Sequence, residues 1–534
     1  MSNPAGDIRA LTVGVTEAFI KIARQAERAE ADVITSTFVE SGHLISSVLK
    51  VDNQVIFGRR GTGKTHTLLY AKQIIESKGG LGIFIDCRTI GSDGSIYNDK
   101  SLSISERAKR LAIDFSGNLH DELRRFCLLH TIKNDLSAIG PMLDEFAESI
   151  SRVKLEGEVE LELLSSREEV SETGIEGGAS LKSVDISMNL ASGSLDKESS
   201  GQRVITKGHE SFVWNFSDVA RSLDRILKKL DLRLYVFVDE WSSNPIDIQP
   251  FLADFLRRVY FPIPQVSIKI AAIEHRTKLN LIQNGTFIGI EWGGDVQASI
   301  RLDDILSFDN AKEKSIEFFE KFLFKHFVSN APNWMRTRIN SPEKLLEIAF
   351  TQGNVFLELV RACEGTPRDA LNIVELAVLD AGDQPMSLLN VRKAARDWCD
   401  RDKIRPLDME AGKLLTRLVS KVVGERRSRA FLFRKDCNDL VLDRLYDARL
   451  IHLARHELIS SDTSMMRYRV FRIDYALTLP GASNKSPEIR YLPIRDMHLD
   501  VPHLEMTSVD CRIIKAASID TLELMSDHAF AQAK

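Results

Sequence analysis

One octapeptide limits what this chain can fold into more than any other feature. Residues Gly58 to Thr65 read GRRGTGKT, with the spacing G-x-x-x-x-G-K-[ST]. The apolar run Val55-Ile56-Phe57 precedes it, and Thr65 to Lys72 follows with the composition of a helix. A buried strand, a glycine-rich turn and a helix in that order form a phosphate-binding loop on a parallel sheet. Glycine at 58, 61 and 63 lets the backbone take positive φ and turn its N–H groups toward phosphate oxygens. The helix N-terminus adds partial positive charge. The spacing therefore predicts that Gly58, Arg59, Arg60, Gly61, Thr62, Gly63, Lys64, Thr65 and His66 surround a nucleotide, with the side chains of Arg59 and Arg60 left to pair with crevice carboxylates or to face solvent. Lys64 would reach the β/γ-phosphates, and the Thr65 hydroxyl would ligate Mg2+.

A nucleotide-hydrolysing site also needs a carboxylate for the metal shell and a base for water. Leu234-Tyr235-Val236-Phe237-Val238 is continuously apolar, as expected of a central strand covered on both faces. It ends in Asp239-Glu240. The C-terminal strand ends of a parallel sheet face the ligand crevice, so Asp239 is expected near the metal and Glu240 near the attacking water. A further strand, Val266 to Ile273, ends in Glu274-His275-Arg276. Lys312 to Phe327 carries apolar residues at helical spacing and reads as core. In EGTPRDAL, Pro367 marks a helix start. The cation Arg368 there opposes the helix dipole, which asks for a reason such as contact with a γ-phosphate.

The four stretches GRRGTGKT, YVFVDE, KIAAIE and GTPRDAL, in that order over about residues 30 to 475, resemble the AAA+ ATPases of the origin-recognition-complex-like, replication initiator-like branch. The resemblance implies an α/β fold: a parallel sheet flanked by helices, with a helical lid, an inserted β-hairpin and a C-terminal winged-helix domain. It implies ATP and Mg2+ as ligands. Asp239 would be a metal residue with Thr65, Glu240 the catalytic base, and Arg368 the sensor arginine of the lid. The first sensor of such proteins is a small polar residue; here Glu274 or His275 stands in that region, which leaves a slow nucleotide-gated switch as an alternative to a hydrolysing machine that acts on a protein or nucleoprotein partner, and the resemblance adds a DNA-binding, initiator-like loader as another. An arginine finger is sought among Arg257, Arg258, Arg276 and Arg301. The stretch after Asp239-Glu240 resembles bacterial members of the group, some of them associated with defence against mobile DNA.

The expected organisation is an N-terminal helix at 1–30, a nucleotide-binding domain at 31–330, a lid at 331–404, a winged helix at 405–481 and an extension at 482–534. Helix is expected around Ser103 to Lys133 and onward to Val153. Two additions are candidates for the output. Alternation in Val153 to Leu163 and in Val184 to Leu190 predicts an inserted hairpin within about 150–210, with Glu156, Glu158, Glu160 and Glu162 on one face for a protein partner. In the winged helix, 15 Lys/Arg stand against 10 Asp/Glu between Arg405 and Gly481. The expected recognition helix carries Asp436, Asp439, Asp443 and Asp447, and acid on that face repels phosphate. Contact with DNA would therefore come from Arg426, Arg427 and Arg429 or from the wing, and a winged helix that contacts a protein partner is an equal alternative.

The net charge of −5 gives no general basic footprint. Six scattered cysteines without a C-x-x-C predict neither zinc nor disulfides. With no apolar run long enough to span a bilayer and no secretory signal at MSNPAGDIRA, a cytoplasmic protein without membrane contact is expected, and the finger from a neighbouring subunit that the resemblance implies makes it a homo-oligomer.

Overall fold

The computed structural model describes residues 4–22, 31–91, 95–130, 136–151, 153–156, 209–212, 215–296, 299–303, 312–425, 429–434, 440–459 and 467–479. Strands are numbered in chain order. Gln54–Phe57 (β1), Leu81–Asp86 (β2), Leu234–Asp239 (β5), Val266–Ala272 (β6) and Ser299–Arg301 (β9) form a parallel central sheet in the order β2-β5-β6-β1-β9. The apolar runs fall where expected because both sheet faces are covered. Val236, Val238, Ile268 and Ile270 join one core with the helices Ile104–Leu129, Phe216–Leu230 and Gln249–Val259. Phe237, Ile56 and Ala271 face the other side, against Leu68 and Ala71 of the Lys64–Ser77 helix.

Helix limits follow local chemistry. The Ser103 hydroxyl accepts from Glu106 N, so the long helix expected over 103–133 begins at Ile104. Asn215 accepts from Ser217 N, and Val219, Leu223, Ile226 and Leu227 then recur on one buried face. Within the insert, Val153–Glu156 (β3) lies antiparallel to His209–Phe212 (β4). Glu158, Glu160, Glu162 and residues 184–190 lie outside the described residues.

A second hairpin, Asn280–Gln283 (β7) with Thr286–Gly289 (β8), turns at Asn284 and Gly285, whose φ values are +50° and +75°. Asn-Gly suits such a turn because both central residues need positive φ.

The helices from Lys312 to Trp398 share one core with the N-terminal helix Pro4–Ile20. That helix buries Val15, Ala18 and Phe19 in the same cluster as Phe319, Phe327 and Ile373, and so is part of the helical layer. The last third holds the helices Met409–Leu418 and Leu440–Asp447 with the strands Ala430–Arg434 (β10), Ile451–Ile459 (β11) and Arg467–Ile473 (β12). These strands form an antiparallel sheet in the order β10-β12-β11. This is the expected helix, strand, helix and hairpin of a winged helix, with residues 435–439 outside the described set. The cysteines at 87, 127, 363 and 399 are buried free thiols. Among the described residues no helix is long and apolar enough to cross a membrane.

Lys269, fully buried on β6, donates from Nζ to the carbonyls of Lys50 (2.6 Å) and Asp52 (2.5 Å) and to Gln54 Oε1 (3.2 Å). Burial pulls its pKa down to about 7 from 10.5. Between those two pH values the unfolded chain binds a proton that the folded chain releases. The Lys269 contribution to stability is therefore complete above about pH 10.5 and is lost progressively as pH falls from there to about 7. Melting temperature is expected to rise more steeply from pH 7 to 10 in the parent than in Lys269→Met, and equal slopes would contradict this.

Candidate functional site

The loop starts pinned to the sheet, Gly58 N donating to Ala272 O at 3.1 Å. Gly61 and Gly63 have φ of +88° and +93°, where side chains are strained. At Gly61 space forbids one as well: a Cβ would lie 2.8 Å from Arg368 Cβ and 3.1 Å from Thr366 Cγ2. Lys64 opens the helix, and its Nζ donates to Gly58 O (2.7 Å) and Arg59 O (3.0 Å). Burial lowers its pKa, against the raising effect of Asp239 and Glu240.

The Thr65 hydroxyl donates to Asp239 Oδ2 at 2.5 Å. Asp239 is fully buried at the end of β5, and its Oδ1 accepts from Glu240 N at 2.9 Å. Burial pushes its carboxyl pKa up, while those two hydrogen bonds act the other way. Glu240 itself takes the left-handed backbone, φ +51° and ψ +36°, between Asp239 and the fully buried Trp241. Non-glycine residues in that region are uncommon and cluster at functional sites. A hydroxyl and a carboxylate held this close beside a phosphate-type loop suit a hard cation with oxygen ligands.

The lid reaches the same loop. Arg368 N donates to Gly61 O at 3.3 Å, and the half-buried Arg368 lies near enough to Lys64 to act on its charge. Beside the loop is a pocket that the sequence does not reveal. Phe38, Leu44, His66, Leu302, Phe322 and Pro367 are among its lining. Phe38 stacks on Tyr70 with centroids 4.0 Å apart and meets His66 edge-on at 5.3 Å. The His66 Nε2 lies 2.9 Å from Ile34 O, so that nitrogen carries the ring proton. His66 and Pro367 adjoin recognisable motifs, but Phe38, Leu44, Leu302 and Phe322 stand in stretches that carry none.

The loop spacing sets Arg59 among the phosphate-binding residues and leaves its side chain either to pair with a carboxylate or to face solvent; the guanidinium does the former. It pairs with Asp303 (2.8 Å), meets His452 Nδ1 (2.6 Å) and lies 5.3 Å from the Tyr446 ring centroid. Its burial explains the direction, since a buried guanidinium needs a carboxylate and acceptors. Arg60, by contrast, is exposed. Arg429 is expected from its basic neighbours to face DNA. It turns inward instead, pairing with Glu364, donating to Ile473 O (3.2 Å from Nε) and lying 5.4 Å from the Tyr475 ring centroid. Arg426 and Arg427 lie outside the described residues.

At the end of β6, Glu274 is held by Arg301 at 2.8 Å, and His275 and Arg276 both reach Asp447 of the winged helix. Arg257 and Arg258 both pair with Asp254. Every arginine considered for a finger therefore has an acidic partner within this chain.

The ORC-CDC6-like family model matches residues 23–352. No curated protein matches the chain. Similar solved structures include Cdc6p from Pyrobaculum aerophilum, at 10% identity and a TM-score of 0.32. The Aeropyrum pernix Orc1 protein in complex with DNA has 13% identity and the same score. Each alignment covers 84% of this chain and 94% of the other. With the family model spanning most of the sequence, and with a parallel sheet bearing this phosphate loop, the chain belongs to the ORC-CDC6-like family and has the P-loop AAA+ fold.

Proposed function

We propose that this chain binds and hydrolyses ATP and uses the nucleotide to change the relation of lid and winged helix, acting on a protein or nucleoprotein partner. The observation that carries the proposal is the convergence of Lys64, the Thr65–Asp239 pair and the Arg368 helix start on one glycine turn. Thr65 and Asp239 would hold Mg2+, which supplies charge neutralisation at the β/γ-phosphates. Backbone N–H groups of the loop bind phosphate, Lys64 adds a point charge, and Glu240 takes a proton from the attacking water. The aromatic pocket around Phe38 and His66 takes the base. In this reading residues 31–330 are the nucleotide domain, 331–404 the lid and 405–481 the winged helix. Lys64→Ala is expected to weaken binding of a fluorescent ATP analogue by at least about 100-fold, given the strength of charge-assisted contacts in a buried site. Parent affinity in that variant would remove the phosphate site from the proposal.

A slow switch is the second reading. Its support is the end of β6, where Glu274 and His275 are engaged with Arg301 and Asp447. Single-turnover kinetics separates the two: a switch retains nucleotide and makes almost no steady-state product. Self-assembly belongs to the proposal too, with a neighbouring copy supplying the finger; activity per chain should then rise with concentration. Two partner classes follow from the resemblance, an origin nucleoprotein and a component of defence against mobile DNA. Duplex affinity that falls steeply with salt supports the first. The inward-facing Arg429 and the docked Asp447 weigh against it in this conformation.

A further inference from the structure

A buried polar path joins the phosphate loop to the winged helix. Arg59 is only 6% exposed although it belongs to the loop. A guanidinium only donates, so His452 Nδ1, 2.6 Å from Arg59 Nη1, is an acceptor. The ring proton then sits on Nε2 and is donated to Asp474 Oδ2 at 2.9 Å. Asp474 also accepts from Lys403 Nζ at 2.8 Å, and Lys403 lies 2.9 Å from Asp369 Oδ2. Asp369 follows Arg368, whose amide returns to the loop at Gly61. The contacts thus leave the loop at Arg59, pass through winged helix and lid, and come back two residues later.

The same residue faces the phosphate site with its backbone. The Arg59 carbonyl accepts from Lys64 Nζ (3.0 Å) and from Thr62 Oγ1 (2.9 Å), and its amide donates to Asp303 Oδ2 (3.0 Å). The Lys64 ammonium has three N–H donors and gives two of them to loop carbonyls, so a phosphate that takes more than the third does so at the expense of the Gly58 and Arg59 carbonyls.

We infer that Arg59 is a positioning residue that couples phosphate in the loop to docking of the winged helix. The docked winged helix, through Tyr446 and His452, favours the loop conformation in which Lys64 bonds the loop carbonyls. A bound triphosphate draws Lys64 away and loosens the docking. This rests on the nucleotide reading above. Coupling of this kind is reciprocal: the factor by which nucleotide weakens docking is the factor by which undocking strengthens nucleotide binding.

The full chain tests this with a Mg2+-bound, non-hydrolysable fluorescent ATP analogue. Tyr446→Ala removes the ring over Arg59, and Asp447→Asn weakens the separate contact with His275 and Arg276. Arg59→Lys keeps the charge but loses the planar fork. Each is expected to bind the analogue about 5- to 50-fold more tightly than the parent, within the usual range of such couplings. Lys78→Gln, at an exposed cation closing the far end of the loop helix, is the control for charge. Amide hydrogen exchange over 440–453 should rise in the parent when the analogue binds. In the variants it should be high beforehand. Tyr446→Ala could unfold the winged helix, and Asp447→Asn with a native circular dichroism spectrum then decides. Equal affinities in parent and folded variants, with unchanged exchange, would overturn the coupling and leave the nucleotide reading intact. No binding in any form would overturn both.

Discussion

Replacing Glu240 with glutamine (Glu240→Gln) is expected to leave ATP bound and nearly stop its turnover. Positioned general bases contribute roughly 10²- to 10⁴-fold, so the single-turnover rate should fall within that range. Affinity should stay within a few-fold, because Lys64, Thr65 and Asp239 keep their contacts. Glutamine is the informative change. It preserves shape and the left-handed backbone demand at 240 while losing the ability to take a proton. The neighbouring carboxylate is no substitute: Asp239 is fully buried and accepts from both Thr65 and the Glu240 amide. Quenched-flow measurement of phosphate release, with retained nucleotide counted after gel filtration, reads both quantities. Turnover at the parent rate would take the base assignment away from Glu240.

Legibility of the site in the sequence follows contiguity. The phosphate loop is one octapeptide, so the chain geometry dictates where Lys64 and Thr65 go. The central strand is legible from its continuous apolar run, and its parallel setting brings Asp239 to the loop without further information. Pro367 and Arg368 announce a helix start, and the structure sets that start against Gly61. The pocket proposed for the base is not legible, because Phe38, Leu302 and Pro367 become neighbours only through tertiary packing. Arg59 shows the same limit more sharply. Its partners Asp303 and His452 lie 244 and 393 residues away, so the sequence shows its place in the loop and allows a carboxylate partner without showing which. Arg429 stands in a basic run and reads as a surface cation, yet Glu364 and Tyr475 take up its charge. The 280–289 hairpin escapes for a different reason. Its Asn284-Gly285 turn is visible, but Leu281-Ile282 and Phe287-Ile288 each set two apolar residues side by side, which hides the period-two signal.

The second large effect is expected at Lys403, where removing one cation strands two acids. Lys403, Asp369 and Asp474 are at most 1% exposed, and Nζ reaches Asp369 at 2.9 Å and Asp474 at 2.8 Å. Burial alone would raise both carboxyl pKa values, but Lys403, with Arg449 on Asp369 and His452 on Asp474, holds them below the ordinary 3.8. Lys403→Met should therefore cost about 3–5 kcal/mol at pH 7, the usual result of leaving a buried charge unpaired. Against a total stability of roughly 5–15 kcal/mol that is a large share. Arg449, already shared between Asp369 and Asp402, and the neutral His452, which only donates a hydrogen bond to Asp474, cannot replace it. Acid dependence adds a second readout. With folded pKa values below 3.8, the parent has this stability in full above about pH 4 and loses it as pH falls through the folded values. In Lys403→Met the carboxyls titrate higher, so protonation relieves the variant first and the gap between the two proteins narrows on acidification. Urea denaturation at pH 7 and pH 5 measures it. A gap that is small at pH 7, or that widens at pH 5, would mean that this cluster does not hold lid and winged helix together through charge. The path from Arg59 to the lid would then have to run through the packing of Tyr446 alone.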